Sequence, residues 1–361
     1  MRRSTIAVSM LAAAGLAVAP LAAPASAAPS GAVGTIVSTG LEGPRQLFFD
    51  GANAYVADSD DGQVRTLTAD GKSQAVLSRL GSTQGVAVVG GSVLAAVGAA
   101  EPDEHATKLP PRGLSATVVS FAFPTRKLLS DPQRFELRHN PDGQQQFNAK
   151  GVPLDALSNP YYLLPDPHGY VLLADAGGND ILRINSRGAT SLFAALPLIT
   201  AGKCKTVPNN DKKHVGCDPV PTGMAWGPDG SLYVSALGSE VEGAVFQLDG
   251  RTGAVLRTWT GFGEGLTGVA VADDGTIYAS ELLHGAPEGN PPKGFDPSTV
   301  GRIVKVSTTG AMSYAPVPMP AGIVWHDGAL YSTAWSIAGM VGMAHAGQVL
   351  KVNPSAFVAA S

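Results

Sequence analysis

Across 361 residues, 25 Lys and Arg stand against 29 Asp and Glu, a formal charge of −4, so no basic excess points to nucleic acid as a partner. Charged residues make up 15% and hydrophobic ones 44%, which excludes a solvated, disordered chain and is enough for a large core. The 44 glycines and 27 prolines follow no collagen-like period, so they serve many tight turns between short strands.

Met1, Arg2 and Arg3 precede an apolar stretch from Ile6 to Ala23 and the small residues Ala25, Ser26 and Ala27, the pattern of a secretory signal peptide spanning residues 1–27. Ser4 and Thr5 follow the arginine pair where the twin-arginine route uses apolar residues, which favours general secretion. Residues 28–361 are then expected to be one exported domain, secreted or extracytoplasmic. No later run of about 18 apolar residues occurs, so the mature chain is expected to carry no transmembrane span. Cys204 and Cys217 are the only cysteines, and in an oxidising compartment they predict one disulfide. It would close a polar loop that cannot pack itself, a contribution of about 3 kcal/mol.

A repeated phrase fixes the expected architecture: an apolar strand, a tight turn with Gly, then a second strand with an aromatic residue near its start. In chain order it reads RQLFFDGANAYVA at 45–57, QGVAVVGGSVLAA at 84–96, PYYLLPDPHGYVLLA at 160–174, TGMAWGPDGSLYVS at 222–235, TGVAVADDGTIYAS at 267–280 and AGIVWHDGALYST at 321–333. Third strands follow at 63–67, 180–184, 244–248, 302–306 and 348–352, and fourth strands after further small-residue turns, as at 254–258. Units of four strands repeated radially predict an all-β, six-bladed β-propeller, which protects its sheet edges by closing into a ring. A two-sheet sandwich is the alternative, separated from it by the sixfold phrase. Residues 35–38 precede the first blade without a partner, so this N-terminal strand is expected to complete the last blade. Residues 138–146 and 196–221 read as inserted loops.

In such a meander the short, uniform turns between first and second strands lie at one end of the ring. The long connections at 97–116, 281–301 and 335–347 lie at the other, where irregular loops on a rigid scaffold usually carry specificity. Arg45, Gln84, Tyr161, Thr222 and Thr267 start inner strands at that loop-rich end and are candidate ligand-binding residues. Asp58, Asp175 and Glu281 follow second strands there and are candidate oxygen ligands for Ca²⁺ or another divalent cation; the competing reading has each carboxylate capping its own turn. His284, three residues after Glu281, is a candidate binding residue or base, and His105 and His345 also sit in loops at this end. His168 and His326 fall in the short turns and read as turn residues. No nucleophile elbow, zinc-protease helix motif or P-loop occurs in the sequence.

The phrases TGLEGPR at 39–45, NPY at 159–161, ADAGGND at 174–180 and VPTGMAWGPDG at 220–230 resemble the secreted ScyD/ScyE family of propeller-type proteins over most of the mature chain. That resemblance implies a fold and a compartment, not a reaction. The cysteine-bearing loop and the region around Glu288 and Pro292 depart from the family pattern. A weaker resemblance runs to lactonase and streptogramin-lyase propellers, whose chemistry uses a divalent metal in the central channel; their ligands find no residue-by-residue match here. The sequence therefore points to an exported, non-enzymatic propeller that binds a small molecule, glycan or protein through its loop-rich face. The alternatives are a metal-dependent lactonase or lyase using Asp58, Asp175 or Glu281, and a cell-envelope interaction scaffold.

Overall fold

The computed structural model describes residues 33–99, 115–154, 156–209 and 214–359. The signal-peptide reading, His105 and most of the 97–116 connection lie outside the described residues. Residues of high strand preference, cut by tight turns, produce short antiparallel strands. The chain opens with β1 (Gly34–Leu41). The first blade contains β2 (Pro44–Asp50), β3 (Asn53–Asp58), β4 (Gln63–Leu67) and β5 (Ser73–Leu77), and the second β6 (Thr83–Val89), β7 (Ser92–Val97), β8 (Thr117–Ala122) and β9 (Thr125–Ser130). The third contains β10 (Pro160–Pro165), β11 (Val171–Asp175), β12 (Asp180–Ile184) and β13 (Thr190–Ala195), and the fourth β14 (Pro221–Trp226), β15 (Leu232–Ala236), β16 (Ala244–Leu248) and β17 (Val255–Trp259). The fifth contains β18 (Leu266–Val271), β19 (Ile277–Glu281), β20 (Arg302–Val306) and β21 (Met312–Ala315). The sixth contains β22 (Ile323–His326), β23 (Ala329–Ala334) and β24 (Gly347–Val352).

Each blade is an antiparallel meander, and the six sheets form the β-propeller. β1 lies antiparallel on β24, from Gly34 opposite Val352 to Leu41 opposite Gly347, and is the fourth strand of the sixth sheet. A short β25 (Val358–Ala359) adds to β21 at the outer edge of the fifth. The inner strands β2, β6, β10, β14, β18 and β22 contact one another in turn, and β22 returns to β2. The core therefore lies between neighbouring sheets: Leu172, Ile181, Met224, Val234 and Phe246 pack the third blade on the fourth, and Tyr233, Val245, Val269 and Val304 the fourth on the fifth.

Two glycines of the repeated phrase explain how closely the ring shuts. A Cβ on Gly268 would lie 2.4 Å from the Ala321 carbonyl oxygen, and one on Gly322 would lie 2.2 Å from that of Arg45. At these positions the backbone of the next blade occupies the space of a side chain. The Gly322 N–H donates to that same Arg45 oxygen at 2.9 Å, tying the sixth blade to the first.

The insertion between the second and third blades begins differently from the expectation of an irregular loop at 138–146. An α-helix, α1 (Pro132–His139), precedes it, with the Asp131 carboxylate accepting from the Arg134 N–H and Asn140 ending it at φ 42°. The Asp131–Pro132 pair is an N-cap followed by proline in the first turn, which satisfies the free amides of a helix start. In the second insertion Cys204 and Cys217 form the disulfide. Among the described residues no helix is long and apolar enough to cross a membrane.

Candidate functional site

The inner strands pass from closed to open along their length. β2, β6, β10 and β14 begin with four or more buried residues and end half-buried or exposed, and β22 runs from buried Ile323 to half-buried His326. At the loop-rich end Arg45, Gln84, Tyr161, Thr222 and Thr267 are all buried. Thr222 and Thr267 serve the ring: their hydroxyls donate to the carbonyls of Leu266 at 2.8 Å and Pro320 at 3.2 Å, each in the next blade or its approach. Gln84 donates from Nε2 to the Ser82 hydroxyl at 2.5 Å.

Arg45 and Tyr161 behave differently. Arg45 is 3% and Tyr161 2% exposed, yet among the described residues Arg45 Nε and Nη1, Tyr161 Oη and Gln84 Oε1 have no hydrogen-bond partner. Burial raises the Tyr161 pKa, and the Arg45 charge draws it back. Among the described residues Arg45 makes one ion pair, a loose one, 3.8 Å from Nη2 to Asp60 Oδ1. The loop-rich end thus gathers part of the expected set as a buried polar layer.

Next to that layer the Gln46 side chain links β2 to β6 and β10, a role the sequence did not signal. Its Oε1 accepts the N–H groups of Val86 at 3.0 Å and Leu163 at 2.9 Å, while Nε2 donates to the Leu163 carbonyl at 2.7 Å. One buried amide therefore satisfies two N–H groups and a carbonyl on β6 and β10, which would otherwise be costly to bury.

Beyond Gln46 the channel widens into a cavity of about 210 Å³, lined by five of the inner strands, with Phe49, Leu164, Trp226, Trp325 and His326 toward its mouth. The indole N–H of Trp226 donates to the Pro165 carbonyl at 3.0 Å and that of Trp325 to Asp273 Oδ2 at 3.1 Å, which fixes both rings. His326 stacks on Phe49 with centroids 4.1 Å apart. His326 is thus the last residue of β22 and part of the cavity wall, whereas His168 sits in its turn with its N–H donating to Asp166 Oδ1 at 2.8 Å. This cavity lies at the short-turn end; the sequence pointed to the loop-rich end for a pocket. Aromatic residues ending inner strands were the available signal: Trp226 and Trp325 occupy equivalent places in the repeated phrase.

The three candidate metal ligands stand in three different blades. Each accepts a main-chain N–H from the connection entering its own blade: Asp58 from Glu42 at 2.7 Å, Asp175 from Asn159 at 2.6 Å, and Glu281 from Gly263. Glu281 also contacts Arg302 Nε, and His284 Nδ1 lies 3.8 Å from its Oε2. Burial, then the Arg302 charge, lower the His284 pKa, with Glu281 opposing. His345 pairs with Glu42 at the rim. Among the described residues no group of three or more His, Cys, Asp or Glu side chains is placed to hold a metal ion.

Burial pushes the Asp58 carboxyl up to about 7, against the Glu42 N–H and the Arg65 charge. The folded state therefore holds a proton that the unfolded state has released, so this stabilisation is complete below the ordinary carboxylate value of 3.8 and disappears as pH rises to about 7. Asp58→Asn keeps an acceptor for the Glu42 N–H. Urea denaturation across that window is expected to show a shallower fall in stability for the variant than for the unchanged protein.

No protein-family model matches the chain, and no curated protein matches it. Solved structures do. The chain is similar to regucalcin, a calcium-binding protein from Agrobacterium tumefaciens, at 12% identity and a TM-score of 0.52, covering 88% of this chain and 94% of that one. It is similar to a gluconolactonase from Xanthomonas campestris at 14% identity and a TM-score of 0.52, covering 88% and 89%. It is also similar to the PQQ-bound aldose sugar dehydrogenase of Streptomyces coelicolor at 13% identity and a TM-score of 0.54, covering 89% and 97%. At these identities the likeness is one of fold, and it places the chain among β-propellers that host unrelated chemistries.

Proposed function

We propose that this chain is an exported β-propeller that works as a binding protein. It takes a small, largely apolar ring compound, or the ring end of a larger molecule, into the open end of its axial channel. The observation that carries this reading is the aromatic-lined cavity of about 210 Å³. It falls below the roughly 300–1,000 Å³ of drug-sized sites, which favours a small ring. Flat indole and imidazole faces held by hydrogen bonds and stacking lose little freedom when a ring packs on them. Export is supported by the leader-like residues 1–27, by the phrases shared with ScyD/ScyE proteins, and by the disulfide. The lactonase or lyase reading has less support, because Asp58, Asp175 and Glu281 each hold a loop of their own blade.

Ligand-observed NMR with a panel of phenols, indoles and aromatic acids, followed by titration of each hit, tests the proposal. Trp226→Ala and Trp325→Ala are each expected to weaken binding about tenfold, the size of a lost aromatic contact plus its buried area. Arg45→Ala is expected to leave it unchanged. A second reading follows from the unpartnered atoms of Arg45 and Tyr161: a ligand carboxylate entering from the loop-rich end. In that case Arg45→Ala and Tyr161→Phe would abolish binding, while both tryptophan variants would bind normally.

A further inference from the structure

Away from the axis, at the loop-rich end of the third blade, acidic side chains are packed together with no basic partner among the described residues. Asp180, the first residue of β12, is 1% exposed, and neither of its carboxylate oxygens has a hydrogen-bond partner. Glu136, on α1, is 4% exposed. Its Oε1 accepts from Gln146 Nε2 at 2.8 Å. The two carboxylates meet around Gly178: a Cβ there would lie 3.4 Å from Asp180 Oδ1, 3.4 Å from Glu136 Oε2 and 3.6 Å from Asp175 Cγ. The missing side chain leaves about the room of a methyl group between two carboxylate oxygens.

An adjoining cavity of about 40 Å³ is lined by Glu136, Asp142, Asn179 and Asp218, among others. That is room for about one water or ion. Among the described residues no Lys, Arg or His pairs with Glu136, Asp142, Asp175 or Asp180. Burial raises the pKa of each, and for Asp180 the charges of Asp175, Glu136 and Asp142 raise it further. Asp175 is served by the N–H groups of Asn159, Gly177 and Gly178 and by the Ser158 hydroxyl, and Asp142 by Gln144 and Asn179. Asp180 has no such support. A buried carboxylate without a partner requires a counter-charge or a proton.

We propose that Asp180 and Glu136 bind one hard divalent cation, calcium by preference, in the gap beside Gly178. The two carboxylates supply charge, and neutral oxygens and water from the adjoining cavity fill the remaining positions. No cage of three acidic side chains is needed, because Ca²⁺ takes six to eight oxygens in irregular arrangements, whereas Mg²⁺ demands a strict octahedron. The ion ties α1, in the insertion, to the β11–β12 turn, and so fastens the loop-rich end of the third blade. This site is independent of the axial cavity.

Thermal unfolding and isothermal titration of the full chain in CaCl₂, MgCl₂ or EDTA at neutral pH test the proposal. Calcium at a hundred times its dissociation constant is expected to raise Tm by about 3–5 °C, with one ion bound and a weaker response to magnesium. Asp180→Asn is expected to lose this response, yet to be no less stable than the unchanged protein in EDTA, since it removes an unpaired buried acid. Should that variant not fold, Glu136→Gln is expected to lose the response likewise. A Tm that responds to acidification but not to calcium, or a calcium response that survives both substitutions, would overturn the proposal.

Discussion

Gly322→Ala is expected to destabilise the protein by about 3 kcal/mol or more, read as a lower urea midpoint. The new methyl would sit 2.2 Å from the Arg45 carbonyl oxygen and 2.7 Å from the Leu47 nitrogen, both main-chain atoms of the opposing blade. Relief requires β22 and β2 to separate. That separation breaks the 2.9 Å bond from the Gly322 N–H to Arg45 O where the ring closes. Gly310→Ala is the comparison. Its site is open and its φ is +87°, so it meets only the left-handed backbone penalty of about 1–2 kcal/mol. A similar loss for the two variants would show that blade contact is not what excludes a side chain at Gly322.

Gln46→Leu carries the next largest effect, a loss of about 3 kcal/mol. Leucine is close in volume, so packing changes little, but the Val86 N–H, the Leu163 N–H and the Leu163 carbonyl lose their partner inside the protein. A buried group left unsatisfied costs about 1–3 kcal/mol, and partial relaxation keeps three of them near the lower end. Hydrogen exchange gives the specific check: the Val86 and Leu163 amides are expected to lose protection, while amides of the outer strands keep theirs. Unchanged exchange at both positions would remove Gln46 as the link from β2 to β6 and β10.

The blades were legible because their information is local. The phrases at 222–235 and 267–280 carry turn chemistry and alternation within fourteen residues, and the structure forms β14, β15, β18 and β19 inside or beside them. The glycine of the phrase was visible as a repeat, but its cause was not, since Gly268 meets Ala321 of another blade. Gln46 was invisible for the same reason, its partners lying 40 and 117 positions away. The acidic turn after β11 drew attention to Asp175. Asp180 is the carboxyl left without hydrogen-bond partners among the described residues, a difference set by main-chain N–H groups that reach the first carboxylate and not the second. Loop length drew attention to one end of the ring, whereas the cavity lined by the inner strands lies where those strands end, beside the short turns.

The most direct test of the axial reading is a crystal of the protein soaked in 4-bromophenol, with the bromine located by its anomalous scattering. A bromine peak is expected in the cavity between Trp226, Trp325 and Phe49, on the short-turn side of Gln46. A peak at the loop-rich end beside Arg45 and Tyr161, or no bound ring in the channel at all, would contradict the axial reading.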